Sequence, residues 1–265
     1  VWFGTSNGVQ KYDGNNWTSY TSAEYNGIPS DNIKVIKAME NGEVWIGTDF
    51  GASKFDGSSW TMYDFNSGLI SSQIKSINND ISGTVWLGTN MGVSYFDGSD
   101  WQSFSSADLH WSGVNDIAFD SQEDKWFSSP LGGVTHYDGN IFTNYAELNG
   151  LLSDNSTSIV VDSQNNKWIG TGSGISVLDA ANNISFNYTR MYLLSPPDTL
   201  NPVVDVGIDQ WNRPWVAIYV GYLAQGGIAY FDNNQWNDLD INDGIAGTNV
   251  KGIAIDENNV WVATT

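Results

Sequence analysis

Carboxylates are the side chains present in sufficient number to do chemistry. Asp and Glu make up 30 of the 265 residues, against 10 Lys and Arg, two His and no Cys. One set recurs before a turn: Asp13, Asp56, Asp97, Asp138, Asp179 and Asp232. A second set is Asp80, Asp120, Asp162, Asp209 and Asp256. Such belts could hold cations. The alternative is local, an Asx-type turn in which each carboxylate accepts its own backbone N–H groups. The local reading is favoured, because each Asp sits in its own short hairpin. The densest cluster, Asp120-Ser-Gln-Glu123-Asp124, lacks the order of a calcium loop. His110 and His136 have no ligand spacing to each other, so no metal site and no cofactor are expected. No Gly-x-Ser-x-Gly elbow and no nucleotide loop is present. Paired carboxylates can hydrolyse glycosides, but abundance alone is no signal of that. A non-enzymatic protein is expected.

The charge balance excludes more. A formal net charge of −20 argues against nucleic acid, whose binding rests on basic groups at phosphates, and against anionic membrane surfaces. No run of 18 apolar residues is present, so no membrane insertion is expected of this segment. The first residue is Val1 and no signal peptide is visible, which suggests a piece of a longer exported protein.

The elements that position these residues recur. Val44-Trp45-Ile46-Gly47-Thr48 has counterparts around Trp2, Trp86, Trp126, Trp168, Trp215 and Trp261, at steps of 43, 41, 40, 42, 47 and 46 residues. A period of this size marks an array. Within each period, Gly, Asn, Asp and Ser clusters separate four short alternating runs. Strand A is the Ile74–Asn78 type and strand B carries the Trp. Strand C is Gly-Val-x-x-Phe-Asp, and strand D starts at a second aromatic: Trp17, Trp60, Trp101, Phe142, Phe186 or Trp236. Asp-Gly between C and D is a strong hairpin signal. Four antiparallel strands per 40-odd residues make a β-propeller blade. The expected fold is all-β, a single propeller domain over 1–265 with about six repeats visible. The strands count as three, five sets of four, and two, or 25 in all. Seven blades are preferred over six.

Function is expected on the loops, because a rigid scaffold fixes their ends. The B–C tips supply Asn7, Asp49, Phe50, Asn90, Met91, Leu131 and, in the long Tyr219–Gly226 connection, Tyr222. The D–A loops add Tyr25, His110, Trp111 and Tyr192. Aromatics beside Asn and Asp suit sugar stacking or a protein contact. The candidate ligand-binding set is Asn7, Asp49, Phe50, Asn90, Met91, His110, Trp111, Leu131 and Tyr222.

Taken together, units such as Phe55-Asp56-Gly57-Ser58-Ser59-Trp60 and Asn149-Gly150-Leu151-Leu152-Ser153-Asp154-Asn155 resemble the two-component regulator propeller repeat. The resemblance covers essentially the whole chain. It departs at Ser128-Ser129-Pro130 and at Ala217-Ile218. It implies an exported, usually seven-bladed propeller. It also implies an extracytoplasmic place, either as the carbohydrate-sensing part of a hybrid histidine kinase or as a secreted surface protein with a protein ligand. Virginiamycin-type lyases are propellers with a repeated Trp motif too. In such an enzyme His110 would be the candidate base, with a metal near the axis.

Overall fold

The computed structural model describes residues 1–191, 200–256 and 259–265. The chain forms two compact units, Val1–Ile117 and Ala118–Thr265. The first unit opens on a three-stranded sheet, β1 (Trp2–Thr5), β2 (Gly8–Tyr12) and β3 (Trp17–Tyr20). Two four-stranded sheets follow. One is β4 (Val35–Ala38), β5 (Val44–Thr48), β6 (Gly51–Phe55) and β7 (Trp60–Tyr63). The other is β8 (Ile74–Asn79), β9 (Val85–Thr89), β10 (Gly92–Phe96) and β11 (Trp101–Ser105), with the single turn α1 (Ser106–Leu109) after it.

The unit boundary falls inside β12 (Asp116–Phe119), which forms a sheet in chain order with β13 (Lys125–Ser129), β14 (Gly133–Tyr137) and β15 (Phe142–Tyr145). The second unit continues with β16 (Ser156–Val161), β17 (Lys167–Thr171), β18 (Gly174–Leu178) and β19 (Ile184–Tyr188). Next come β20 (Val203–Ile208), β21 (Pro214–Val220), β22 (Gln225–Asp232) and β23 (Gln235–Leu239). The last sheet holds β24 (Val250–Ile255) and β25 (Val260–Thr264). The described strands number 25 in seven antiparallel sheets, each in simple up-and-down order. This is the expected all-β blade architecture, and the sheet count agrees with seven blades.

Two recurring chemical devices explain the repeat. The first joins the second Asp set to the strand-B tryptophans. Asp80 accepts the Trp86 indole N–H at 3.0 Å and Asp120 that of Trp126 at 3.1 Å. Asp162, Asp209 and Asp256 each take the indole of Trp168, Trp215 and Trp261 at 2.9 Å. In the sheets of β8, β12, β16 and β20 the other carboxylate oxygen accepts two backbone N–H groups of the A–B turn, as in Asp80 with Ser82 and Thr84. A buried indole N–H needs such a partner. These carboxylates are therefore structural.

The sheet of β4 lacks this partner. Met39 stands where the Asp would be, and the Trp45 indole nitrogen is buried with no hydrogen-bond partner. The turn has kept its shape, with Met39 N–H donating to Glu43 O and Gly42 N–H to Met39 O. Met39→Asp is expected to stabilise the protein by about 1 kcal/mol, the net worth of a hydrogen bond to a previously orphaned buried group. A thermal melt of the variant beside the parent checks this, and an unchanged or lower midpoint would refute it.

The second device is the Gly-Thr pair. A Cβ on Gly47 would lie 2.5 Å from Ile74 Cγ2 and 2.7 Å from Val35 Cγ1. The first residue of the following strand A thus packs directly on the glycine. The threonine clamps the B–C turn: Thr48 Oγ1 donates to Gly51 O at 3.0 Å and accepts the Phe50 N–H at 3.0 Å. Thr5, Thr89 and Thr171 repeat the pattern. Where the motif departs, the chemistry changes. Ser129 reaches Leu131 N–H only at 3.5 Å, and Ser156 Oγ donates to the Ser129 and Gly133 carbonyls instead.

Three sequence expectations need correction. Strand D of the fifth sequence period begins at Ile184, not at Phe186. A register shift at Val177/Leu178 puts Ile184 opposite Leu178 and Phe186 opposite Val177. The long Tyr219–Gly226 connection is mostly strand: Tyr219 pairs with Gly226 and Val220 with Gln225, leaving a 3₁₀ turn at Gly221–Leu223. The turn after Asp232 is not an Asp-capped turn either. Asp232 pairs with Gln235, and Asn233 and Asn234 make the reversal with φ of 49° and 62°. Asn tolerates that left-handed region.

Candidate functional site

Five of the six residues of the first Asp set behave as the local reading expects, Asp232 being the exception. Asp56 accepts the N–H groups of Ser58 and Ser59 at 2.8 Å each, and Asp13, Asp97, Asp138 and Asp179 cap their turns likewise. Backbone N–H donation to the carboxylate pulls the pKa of Asp13, Asp56, Asp97, Asp138 and Asp179 below the ordinary carboxylate range.

In the first unit the candidate residues occupy the B–C and D–A ends of the sheets. Asn7, Phe50 and Met91 each donate their backbone N–H to the clamping threonine. This leaves the Phe50 and Met91 side chains 64% and 55% exposed on fixed backbone. Asp49 pairs with Lys34 at 3.2 Å. Asn90 accepts the Ser71 hydroxyl, and its N–H reaches Gln73 O. His110 is exposed and closes α1 in the left-handed region at φ 66°, and Trp111 beside it is 42% exposed. Tyr25 lies against Tyr20 at 5.1 Å between ring centroids.

The remaining candidates lie elsewhere. Leu131, 68% exposed, caps the β13–β14 turn of the second unit. Tyr222 falls in the Gly221–Leu223 turn, but its side chain lies outside the described residues, as does all of Tyr192.

Sequence reasoning missed the lysines of strand A. The register shifts between Ile74 and Ser76, which makes Lys75 the extra residue of a β-bulge. Bulges re-aim side chains, and Lys75 Nζ reaches Asn115 Oδ1 at 3.1 Å. Lys34 and Lys75 thus place cationic groups beside Asp49 and Asn115 at the ends of β4 and β8. The signal available in the sequence was a concentration of basic residues on strand A. Lys34, Lys37, Lys75 and Lys251 are four of only 10 basic residues. Burial pulls Lys37 and Lys75 below the ordinary lysine range.

The second unit holds two further polar groups. Asp120, Asp124 and His136 bring one ligand atom each within 4.8 Å of one another. Their bonds are already assigned. His136 Nε2 meets Asp124 at 2.8 Å while its ring stacks on Trp126 at 4.4 Å. Asp120 holds Trp126 and faces the Lys167 ammonium at 3.5 Å. Lys167 is fully buried and donates to Asn182 Oδ1 at 2.6 Å. Burial lowers its pKa, and the facing Asp120 opposes the shift. The cation of this cluster is the lysine itself.

The other group is Asp205 on β20. It accepts the Val206 and Ile253 N–H groups at 2.9 Å each, yet burial pushes its pKa up to about 6 from an ordinary 3.8. A raised carboxylate favours the folded state while protonated. Its contribution is present below the unfolded value near 4 and is lost as pH rises through 6. The hairpin carboxylates have the opposite sign: their contribution is present above about 4 and is lost as pH falls through their depressed folded values. Replacing Asp205 by Asn is therefore expected to change the melting temperature more favourably at pH 7 than at pH 4. A variant-minus-parent difference that stays flat from pH 4 to 7 would refute the shift.

No family model matches this sequence, and no curated protein matches it. Solved structures do. The extracellular domain of a putative hybrid two-component system from B. thetaiotaomicron is 18% identical with a TM-score of 0.79, over 99% of this chain and 37% of that one. This chain thus spans well under half the length of that relative. A catalytically inactive virginiamycin B lyase from Staphylococcus aureus, solved with quinupristin, is 14% identical at a TM-score of 0.74, over 97% of this chain and 85% of that one. PorZ, a surface component of the type-IX secretion system of Porphyromonas gingivalis, is 19% identical at 0.68, over 97% and 41%. These likenesses establish the class: the chain has the β-propeller fold that the repeat implies. Among the described residues no helix is long and apolar enough to cross a membrane.

Proposed function

We propose that this chain is a non-enzymatic, extracytoplasmic ligand-binding propeller, part of a longer exported protein of the two-component regulator propeller type. Its role is to sense a carbohydrate for a hybrid two-component system. The observation that carries the reading is the tip of β5–β6. There an exposed Phe50 stands on backbone locked by buried Thr48, beside the charged pair Asp49–Lys34. An aromatic face with hydrogen-bonding groups at fixed distance suits a sugar ring, whose C–H face stacks while its hydroxyls bond. The likeness to an extracellular domain of a hybrid two-component system supports the sensing role.

The likeness to PorZ supports a second reading, a surface protein that uses the same tips against another protein. The parent gene separates the two. Downstream membrane-spanning and histidine-kinase segments support sensing, and a C-terminal sorting domain supports the surface protein. For the site, titration of the protein with hits from a printed glycan array is expected to show binding that Phe50→Ala or Asp49→Ala weakens tenfold or more. Glycan binding untouched by both variants would remove the tips from the site.

A further inference from the structure

The strand-B tryptophans share a second feature, which one sheet lacks. Six of the seven have a cross-strand partner on strand C, the seventh, Trp261, lying in the two-stranded sheet, and in five of those six pairs the partner is a cationic or ring side chain. Trp2 faces Lys11, whose ammonium lies 5.0 Å from the ring centroid. Trp45 faces Lys54, which is tied to Glu43 at 3.2 Å. Trp86 stacks on Tyr95 at 4.5 Å, Trp126 on His136 at 4.4 Å and Trp215 on Tyr230 at 4.6 Å. In the sheet of β16–β19 the partner of Trp168 is Val177. Asn166 stands there in place of the acid that the β4 and β12 sheets carry as Glu43 and Asp124. The register shift at Val177/Leu178 then turns Phe186 toward this spot, opposite Val177 and 61% exposed.

The result is a cleft of about 500 Å³ inside the second unit. It is lined by Trp168, Phe186, Tyr188 and Phe231, with the polar groups of Asn166 and Asn234 at its edge. Asn166 Nδ2 donates to Asp162 at 2.8 Å, which turns that amide and leaves its carbonyl oxygen for a donor. The side-chain amide of Asn234 makes no hydrogen bond to the described residues. The cleft lies by the A–B and C–D turns, at the opposite sheet end from the B–C tips. It is therefore separate from the site of the proposed function.

We infer that this cleft is a second binding site, for one ring of a neutral glycan. Its size falls in the range of small-molecule sites, about 300–1,000 Å³. Phe186 offers an exposed face for a sugar's C–H groups, above a floor of Trp168, Tyr188 and Phe231 packed on one another, and the two amides offer a carbonyl acceptor and N–H donors to hydroxyls. No cation lines it, so nothing there recognises an anionic group. A buried aromatic side chain of a partner protein would use the rings and leave the amides unpaired, which is costly on desolvation.

The test is a printed array of neutral and acidic oligosaccharides, probed with the whole chain, followed by calorimetry with the best neutral glycan. Two variants aim at the cleft. Phe186→Ala removes an exposed ring, and Asn234→Gly removes an amide at a left-handed residue that glycine suits. Ile141→Ala, at a 63% exposed side chain outside both sites, serves as the control. The expected result is retention of a neutral glycan whose affinity falls tenfold or more in each cleft variant and is unchanged by Ile141→Ala, with melting temperatures of the variants close to the parent. Three results would overturn the inference: no neutral glycan retained, binding insensitive to both cleft variants, or retention of acidic glycans alone. A neutral glycan lost only with Phe50→Ala would overturn it while leaving the tip site standing.

Discussion

Replacing Asp120 by Ala is expected to cost about 3–5 kcal/mol of stability, the range for removing one partner of a buried ion pair. Four donors lose their acceptor at once. The Lys167 ammonium, fully buried, loses the carboxylate at 3.5 Å. The Trp126 indole N–H loses its bond at 3.1 Å. The turn amides of Gln122 and Asp124 lose the other oxygen. Asn182 would then be its hydrogen-bond acceptor, with Asp124 and Asp179 acting only through longer-range attraction, and the charge would be relieved mainly by loss of a proton or by local opening. A second change separates charge from shape. Lys167→Met in the Asp120→Ala background removes the stranded ammonium and is expected to recover a large part of the loss. Urea melts of the parent, both single variants and the double variant give the coupling directly. A loss under 1 kcal/mol for Asp120→Ala would show that the pair is not the keystone described here.

Gly51→Ala is expected to cost on the order of 3 kcal/mol and to disturb the candidate site as well. Gly51 sits at φ 140°, and a Cβ there would come 2.5 Å from Tyr63 O. The backbone conformation is one that only glycine adopts at ease, worth about 1–3 kcal/mol of strain in another residue. The clash is with backbone, so it cannot be relieved by turning a side chain; overpacking of this kind adds about 1–3 kcal/mol. Gly51 O is also the acceptor of the Thr48 hydroxyl. Moving it loosens the clamp that fixes Asp49 and Phe50. A melt reads the first effect, and the glycan titration reads the second. Full stability with full binding would refute both.

The parts legible in the sequence were those with a period. Trp45 and its counterparts announced strand B, Asp-Gly announced the C–D hairpins, and counting from these gave the 25 strands in their observed grouping. The packing of a strand-A side chain on Gly47 was not legible, because it joins residues of different periods. The Asp80 set could be assigned to turns, but its bond to the tryptophan six residues on in most repeats could not be read, because it needs the carboxylate and the indole on one side of the turn. The coverings of the strand-B tryptophans were hidden as well. They are cross-strand relations between residues nine to fifteen apart whose types vary: Lys11, Lys54, Tyr95, His136, Val177, Tyr230. The Ile184 start of β19 was missed because Phe186 looked like the repeated aromatic, and a one-residue shift in a strand moves a side chain to the other face. For the candidate site, the exposed tips were legible as loop positions. The lysine at the β8 bulge was not, since alternation alone does not reveal an extra residue.

The Asp–Trp bonds close over five or six residues, and each B–C and C–D hairpin over fifteen or fewer. An all-β chain usually folds slowly, because its pairings join distant residues and the loop entropy must be lost first. Here the sheet is assembled almost wholly from near neighbours in the chain. Each period can therefore nucleate on its own clasp and wait for the next strand A to dock, as repeat proteins do. The order of folding can follow the order in which the chain becomes available, one period after another from either end.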